Sequence, residues 1–209
     1  MSIFIQVGAG AGDQDTRLKN RDGFTEYVKS LDKSSVSRII LIEANPLNVP
    51  LLIECWKDYP QAEIHTIAIV PERHTAKGVY IHYCEKDGPN YQVTSVYPEH
   101  IKKHYGEDAV LKKIFVGCMT INEFNALHLK QNDFVKLYSL DIEGLDGDIV
   151  LEIDLKKINC EYLSFEYISL GKQEKDVLKK MRDNNYIFDG RGIDVCGYDW
   201  LFRKDAGLV

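Results

Sequence analysis

Apolar residues in this chain fall into short runs separated by amphipathic stretches, and that alternation sets the fold class before any single residue is considered. Ile3-Phe4-Ile5-Gln6-Val7 and Ile39-Ile40-Leu41-Ile42 are nearly unbroken apolar runs of strand length, as expected of strands buried on both faces. The pattern predicts strands near 3–7, 38–43, 63–69, 135–140, 160–167, 185–189 and 195–203. Between them it predicts helices near 23–31, 47–57, 120–128, 146–152 and 172–183. Strands alternating with helices build a mostly parallel sheet covered on both faces, so the expectation is a doubly wound α/β fold with a Rossmann-like sheet of seven strands. Residues 70–118 interrupt the rhythm. They hold an extended run, Val79 to Cys84, a turn at Asp87-Gly-Pro89 and a helix near Glu99 to Tyr105. This reads as an insertion after strand three, a lid on the substrate side of one domain spanning 1–209. There is no internal repeat, linker or low-complexity segment.

The first strand runs straight into Gly8-Ala9-Gly10-Ala11-Gly12-Asp13, where missing Cβ atoms let the backbone turn tightly and approach a ligand. The dinucleotide fingerprint G-x-G-x-x-G, counted from Gly8, puts its third glycine on Asp13, which moves NAD to second choice. G-x-G-x-G after a strand suits S-adenosylmethionine instead. Glu43 closes the second strand, where a carboxylate accepts both hydroxyls of a ribose. It follows Gly12 by 31 residues, against about 20 in the dinucleotide pattern, and the polar stretch 13–22 accounts for the excess as a loop over the cofactor. At the fourth predicted strand, Leu137-Tyr-Ser-Leu-Asp-Ile-Glu-Gly144 ends in two acids. Residues two apart share a strand face, so Asp141 and Glu143 are expected to point together into the crevice and to share a proton or a cation. The competing reading is a helix cap, a task better suited to Asp146 and Asp148.

Composition narrows the partners. The chain has 209 residues, 44% hydrophobic, enough for one substantial core. A net charge of -6 with no Lys/Arg-rich run argues against nucleic acid and for a small or neutral substrate. Five widely spaced cysteines without a C-x-x-C pair indicate reduced thiols and a cytoplasmic setting, with neither disulfide nor structural zinc. The strand starting near Ile3 leaves no room for a signal peptide, and no apolar stretch reaches the length of a membrane span.

Five pieces in order, Phe4-Ile-Gln-Val-Gly-Ala9, Leu41-Ile-Glu-Ala-Asn-Pro46, Thr66-Ile-Ala-Ile69, Val93-Thr-Ser-Val96 and Leu140-Asp-Ile-Glu-Gly144, resemble the FkbM-type S-adenosylmethionine-dependent methyltransferases. The Asp-x-Glu-Gly element is the most specific, and the resemblance covers nearly the whole chain. It implies a last strand antiparallel to the rest. It also implies S-adenosyl-L-methionine as cofactor, with Gln6, Gly8, Ala9, Gly10, Asp13, Glu43, Ala44, Ala68, Ile69 and Asp141 as the contacting set, Ala68 and Ile69 near the adenine and Asp141 beside the transferred methyl. Members mostly methylate hydroxyls of sugars or natural products, so a small-molecule or glycan acceptor is implied. The chain departs from the family in having Gly10 where Asn is common. Gln6 stands where many methyltransferases place an acid, and its carbonyl oxygen still accepts a hydrogen bond.

Methyl transfer to an alcohol needs a base, and the candidates are Asp141, Glu143 and His104, with Glu166 behind them. His100 and His104 have metal-ligand spacing, but Lys102 and Lys103 lie between them and no Glu follows His100, so the segment reads as solvated helix and no metal is expected. The absence of an Asn/Asp-Pro-Pro-Tyr motif favours oxygen over nitrogen as the acceptor atom. Phe4, Trp56, Leu137, Phe165 and Ile187 read as core. Tyr198, Trp200 and Phe202 read as the buried or homodimer-facing side of the last strand. The alternatives carried forward are a noncatalytic binder that keeps the fold and an NAD-binding oxidoreductase.

Overall fold

The computed structural model describes residues 2–14, 19, 21–205 and 207. Of the cofactor loop expected at 13–22, residues 15–18 and 20 lie outside the described residues. Among the described residues, eleven strands and six α-helices follow in chain order: β1 (Ser2–Val7), α1 (Gly23–Ser30), β2 (Val36–Glu43), α2 (Val49–Trp56), β3 (Ala62–Thr66), β4 (Ala68–Ile69), β5 (Gly78–Cys84), β6 (Thr94–Ser95), α3 (Pro98–Tyr105) and β7 (Leu111–Met119). They continue with α4 (Ile121–His128), β8 (Phe134–Leu140), α5 (Asp146–Glu152), β9 (Asn159–Glu166), α6 (Glu174–Asp183), β10 (Tyr186–Arg191) and β11 (Asp199–Lys204).

Seven strands form the main sheet in the order β10-β11-β9-β8-β1-β2-β3. Every pair from β9 to β3 is parallel, and only β11 runs against its neighbours. The expected seven-stranded, doubly wound sheet with an antiparallel last strand is what the chain forms. The winding proceeds outward from β1 through β2 to β3, then returns to β8 on the other side of β1. The carboxyl ends of β1 and β8 therefore flank the switch point, where α/β sheets hold their ligands.

Alternate residues of β1 feed different cores. Ile3, Ile5 and Val7 pack with Phe124 of α4, Ile149 of α5 and Val177 of α6, while Phe4 packs with Phe24 of α1 and Trp56 of α2 on the opposite face. Double-sided burial explains the nearly unbroken apolar runs Ile3–Val7 of β1 and Ile39–Ile42 of β2. Local caps set the helix starts: Asp22 accepts from Thr25 N–H at α1, and Thr120 and Glu123 close a capping box at α4.

Three expectations need correction. The strand expected at 63–69 is broken, because Ala62–Thr66 stays in the main sheet whereas Ala68–Ile69 pairs with Cys118–Met119 of β7. The insertion carries most of a second sheet, β4-β7-β5-β6, and β7 did not read as a strand because Lys112, Lys113 and Gly117 interrupt its apolar pattern. Ile187 lies on the edge strand β10 and is 42% exposed, unlike Phe4, Trp56, Leu137 and Phe165, which are buried. The aromatic face of β11 packs within the chain: Phe202 stacks on Phe165 and Trp200 on Tyr167, while Tyr198 is exposed. All five cysteines are free thiols, four of them buried. Among the described residues no helix is long and apolar enough to cross a membrane.

Candidate functional site

The crevice at the switch point begins with the turn after β1. Gly8 and Ala9 N–H both donate to the Ile42 carbonyl, at 2.9 and 3.0 Å, which binds the turn to β2. Gly8 has φ +82°, and a Cβ there would lie 1.8 Å from the Asp141 carbonyl oxygen. Its small size serves the close approach of β1 to the chain leaving β8. Gly12 similarly makes room for Cys55. Only Gly10, at φ +54°, has open space where a side chain would be, so it alone of the three leaves its surface free for a ligand.

Glu43 clamps this turn. Its Oε2 accepts from Gly10 N–H at 2.7 Å, and its Oε1 accepts from Asn45 N–H at 2.7 Å and Asn48 Nδ2 at 3.3 Å. Burial at 4% exposure pushes the carboxyl up to about 7, against the pull of the three donors toward the ionised form. Asn48 extends the clamp to the insertion through two bonds with the Tyr91 backbone, and Asn45 adds one to Thr94.

The opposite wall is the turn from β8 to α5. Asp141 N–H donates to the Val7 carbonyl at 2.9 Å. Its side chain is accessible from the crevice but crowded on its other sides. Loss of hydration, then the charges of Glu143, Asp146, Asp199 and Glu166, hold its carboxyl well above the usual range. Asp146 is fully buried. One of its oxygens accepts from Ile142 N–H at 3.1 Å, the other has no partner, and burial followed by Glu166 lifts it to about 8. It closes the 142–146 turn instead of capping α5, while Asp148 is held by Arg73 and Gln173.

Asp141 and Glu143 do come together on the crevice, although not by strand alternation. β8 ends at Leu140, and Glu143 has φ +43°, which turns its side chain toward α3. There His100 Nε2 lies 2.8 Å from Glu143 Oε2. The expected solvated helix is corrected at this point, since His100 faces Glu143 with 13% of its side chain exposed. His104 is exposed, its ring centroid 5.0 Å from that of His100.

Two cavities of about 60 and 80 Å³ open along these walls. Gly8, Gly10, Gln92 and Asp141 line both. The smaller adds Glu43, Ala44, Ile67, Ile69, Thr94 and Glu143, and the larger adds Ala9, Arg21, Asp22 and Asp194. Three expected contacts lie off them. Ala68 faces Ile81 and Val116 in the core of the second sheet, and Ile67 takes the position expected of it beside Ile69. Asp13 is committed to Lys29 at 2.6 Å; burial alone would raise its carboxyl, but bonds with Lys29, Cys55 and Gln14 keep it below the ordinary range. Gln6 is buried behind the turn and donates to Asp22 at 3.2 Å. Asp22 is thus a crevice residue that sequence reasoning missed. Gln92 gave no local signal, and the spacing of His100 with His104 and the place of Thr94 in the 93–96 piece did not point to the crevice, since only the folding of the insertion brings them here. A larger cavity, about 790 Å³, lies at the other end of the strands among Lys130, Lys156, Lys157 and Lys204, away from the acid cluster.

No family model and no curated protein matches this chain. Among solved structures it is similar to the methyltransferase FkbM from Methylobacillus flagellatus KT, with TM-score 0.49 and 13% identity over 97% of this chain and 43% of that one. It is also similar to TrmK from M. capricolum in complex with S-adenosyl-homocysteine, with TM-score 0.46 and 8% identity over 98% and 62%. For Aeropyrum pernix fibrillarin with bound S-adenosyl-L-methionine the values are 0.44 and 11% over 96% and 65%. The chain spans less than two thirds of the length of each. At such identities activity does not follow from likeness, and the architecture rests on the strand order itself.

Proposed function

We propose that this domain is an S-adenosylmethionine-dependent methyltransferase acting on a hydroxyl oxygen of a small-molecule or glycan acceptor. The observation that carries the reading is the buried Glu43 carboxylate bonded to Gly10 N–H at the switch point, a carboxylate and an open glycine turn side by side where a nucleoside ligand would lie. The donor set fits the cofactor. Glu43 would take the ribose hydroxyls, Ile67 and Ile69 offer an apolar wall for the adenine, and Asp22, bonded to Gln6, is an acceptor for the amino group.

The space requires movement. Cavities of about 60 and 80 Å³ are far below the roughly 300 Å³ that ligand pockets start from. Gln92 and Thr94 must withdraw, which gives the insertion the role of a lid. Their withdrawal breaks the bonds of Asn45 to Thr94 and of Asn48 to Tyr91, while Ser95, His100 and Arg73 still tie the insertion to the β8–α5 wall. When bound, the cofactor supplies an electrophilic methyl on a sulfonium. Asp141 then receives the proton of the acceptor hydroxyl at a carboxylate oxygen, and Glu143 beside it favours that protonated form. The free thiols fit a reducing, cytoplasmic compartment.

Thermal denaturation tests the reading. S-adenosylmethionine or S-adenosylhomocysteine at a hundredfold excess over its dissociation constant stabilises by about 2.7 kcal/mol, and NAD does not. Stabilisation by NAD alone would overturn it. Cofactor binding with no transfer to any of a broad set of hydroxylated acceptors would leave a binding protein in its place.

A further inference from the structure

We infer that His100, His104 and Glu143 form a binding site for a divalent transition-metal ion at the rim of the crevice. The two histidines are four residues apart on α3 and share one helix face, and the β8–α5 turn brings Glu143 to that face. One nitrogen from each histidine and one oxygen of Glu143 all lie within 4.8 Å of one another. The backbone is shaped for this meeting. Glu143 has φ +43°, and a Cβ on Gly144, itself at φ +94°, would come 2.9 Å from His100 Nδ1. The Ser95 hydroxyl donates to the Glu143 carbonyl at 2.8 Å and ties the turn to β6, which precedes α3 by two residues.

Ligand bonds of about 2.0–2.1 Å in a tetrahedral site put donor atoms about 3.3 Å apart. His100 Nε2 and Glu143 Oε2 stand at 2.8 Å, so that pair opens by a few tenths of an ångström, and the exposed His104 rotates to complete the set. Two imidazoles and a carboxylate are a donor set suited to Zn²⁺ and its neighbours. Three protein ligands leave a coordination position open to water or to an oxygen of an acceptor, the arrangement of sites that do chemistry, whereas structural sites are closed.

The surroundings are short of positive charge. Asp141, Asp146 and Glu166 lie near Glu143, and one oxygen of the fully buried Asp146 has no partner. A dication relieves this repulsion. Glu143 also lines the smaller cavity, so the ion would border the proposed acceptor site. The inference rests on the side-chain cluster alone and is read without cofactor or turnover, so its failure and that of the methyl-transfer reading are separable.

The test is titration of the metal-stripped full chain with Co²⁺, followed by visible absorption, and with Zn²⁺, followed by calorimetry. The expected result is one ion per chain with the visible bands of low-coordinate Co²⁺. His104→Ala, a change at an exposed side chain, should weaken binding at least tenfold, and Glu143→Gln should do the same. Cys196→Ser, at the exposed thiol, should change nothing. Absence of stoichiometric binding overturns the inference, as does His104→Ala binding as tightly as the parent or loss of binding in Cys196→Ser.

Discussion

The two walls of the crevice both carry buried acids but treat them in opposite ways. On the β1–β2 wall, Glu43 meets three N–H donors, two of them backbone amides at 2.7 Å. On the β8–α5 wall, Asp146 accepts one bond and leaves an oxygen bare, and Asp141 is surrounded by other carboxylates. The first wall is finished before any ligand arrives, its acceptor held in place by the backbone. The second holds unspent negative charge that a proton or a cation must answer. In the proposed reading, recognition of the ribose falls to the first wall, and acid–base or metal chemistry falls to the second.

The largest expected effect breaks the second wall and leaves the first intact. Asp141→Asn keeps the shape and removes the charge, so methyl transfer should fall about 10²- to 10⁴-fold while S-adenosylhomocysteine affinity stays within a few-fold. Rate and affinity measured on the same preparation decide it, and an unchanged rate would move the base to His104. Next in size, Glu43→Ala removes the acceptor from the first wall. Cofactor binding should weaken by about 1.5–3 kcal/mol, a charge-assisted hydrogen bond's usual worth. Calorimetry showing unchanged affinity would assign the ribose to another residue.

A pH series sharpens the contrast with a smaller effect. The Glu43 carboxyl, raised to about 7 by burial, must ionise to accept ligand hydroxyls, so affinity should increase about tenfold from pH 6 to 8 and be flat in Glu43→Gln. Stability should move the other way. The folded state holds a proton on Glu43 at pH values where the unfolded chain has lost it, so this group's contribution declines as pH rises from about 4.5 to about 7. A melting temperature that climbs over that window in the parent more than in Glu43→Gln would contradict the assignment. The smallest effect is expected at Asp13. Because its carboxylate faces Lys29, Asp13→Ala should change cofactor affinity less than twofold and cost about 0.5–1 kcal/mol of stability in denaturant unfolding.

The legible parts of the site were those built from consecutive residues. Gly8 to Gly12 and Glu43 stand at strand ends that the apolar runs already marked, and parallel strands with helices between them put those ends along one edge. Asp13 stands off the crevice cavities because its partner Lys29 comes from α1, and Ala68 because β4 leaves the main sheet to join β7. His100 read as solvent-facing because the lysines beside it describe only its own helix.

What the sequence determined by itself is the architecture and the glycine turn, since periodicity, runs of β-branched residues and a glycine needed at positive φ are local properties of consecutive residues. What only the tertiary structure decided is who meets whom across the crevice. His100 reaches Glu143 over 43 residues of chain, and Asn48 reaches the Tyr91 backbone over the same separation. Neither spacing has a period, because such meetings are set by how the second sheet docks on the first. That docking depends on shape and burial summed over many residues, which no single motif along the chain records.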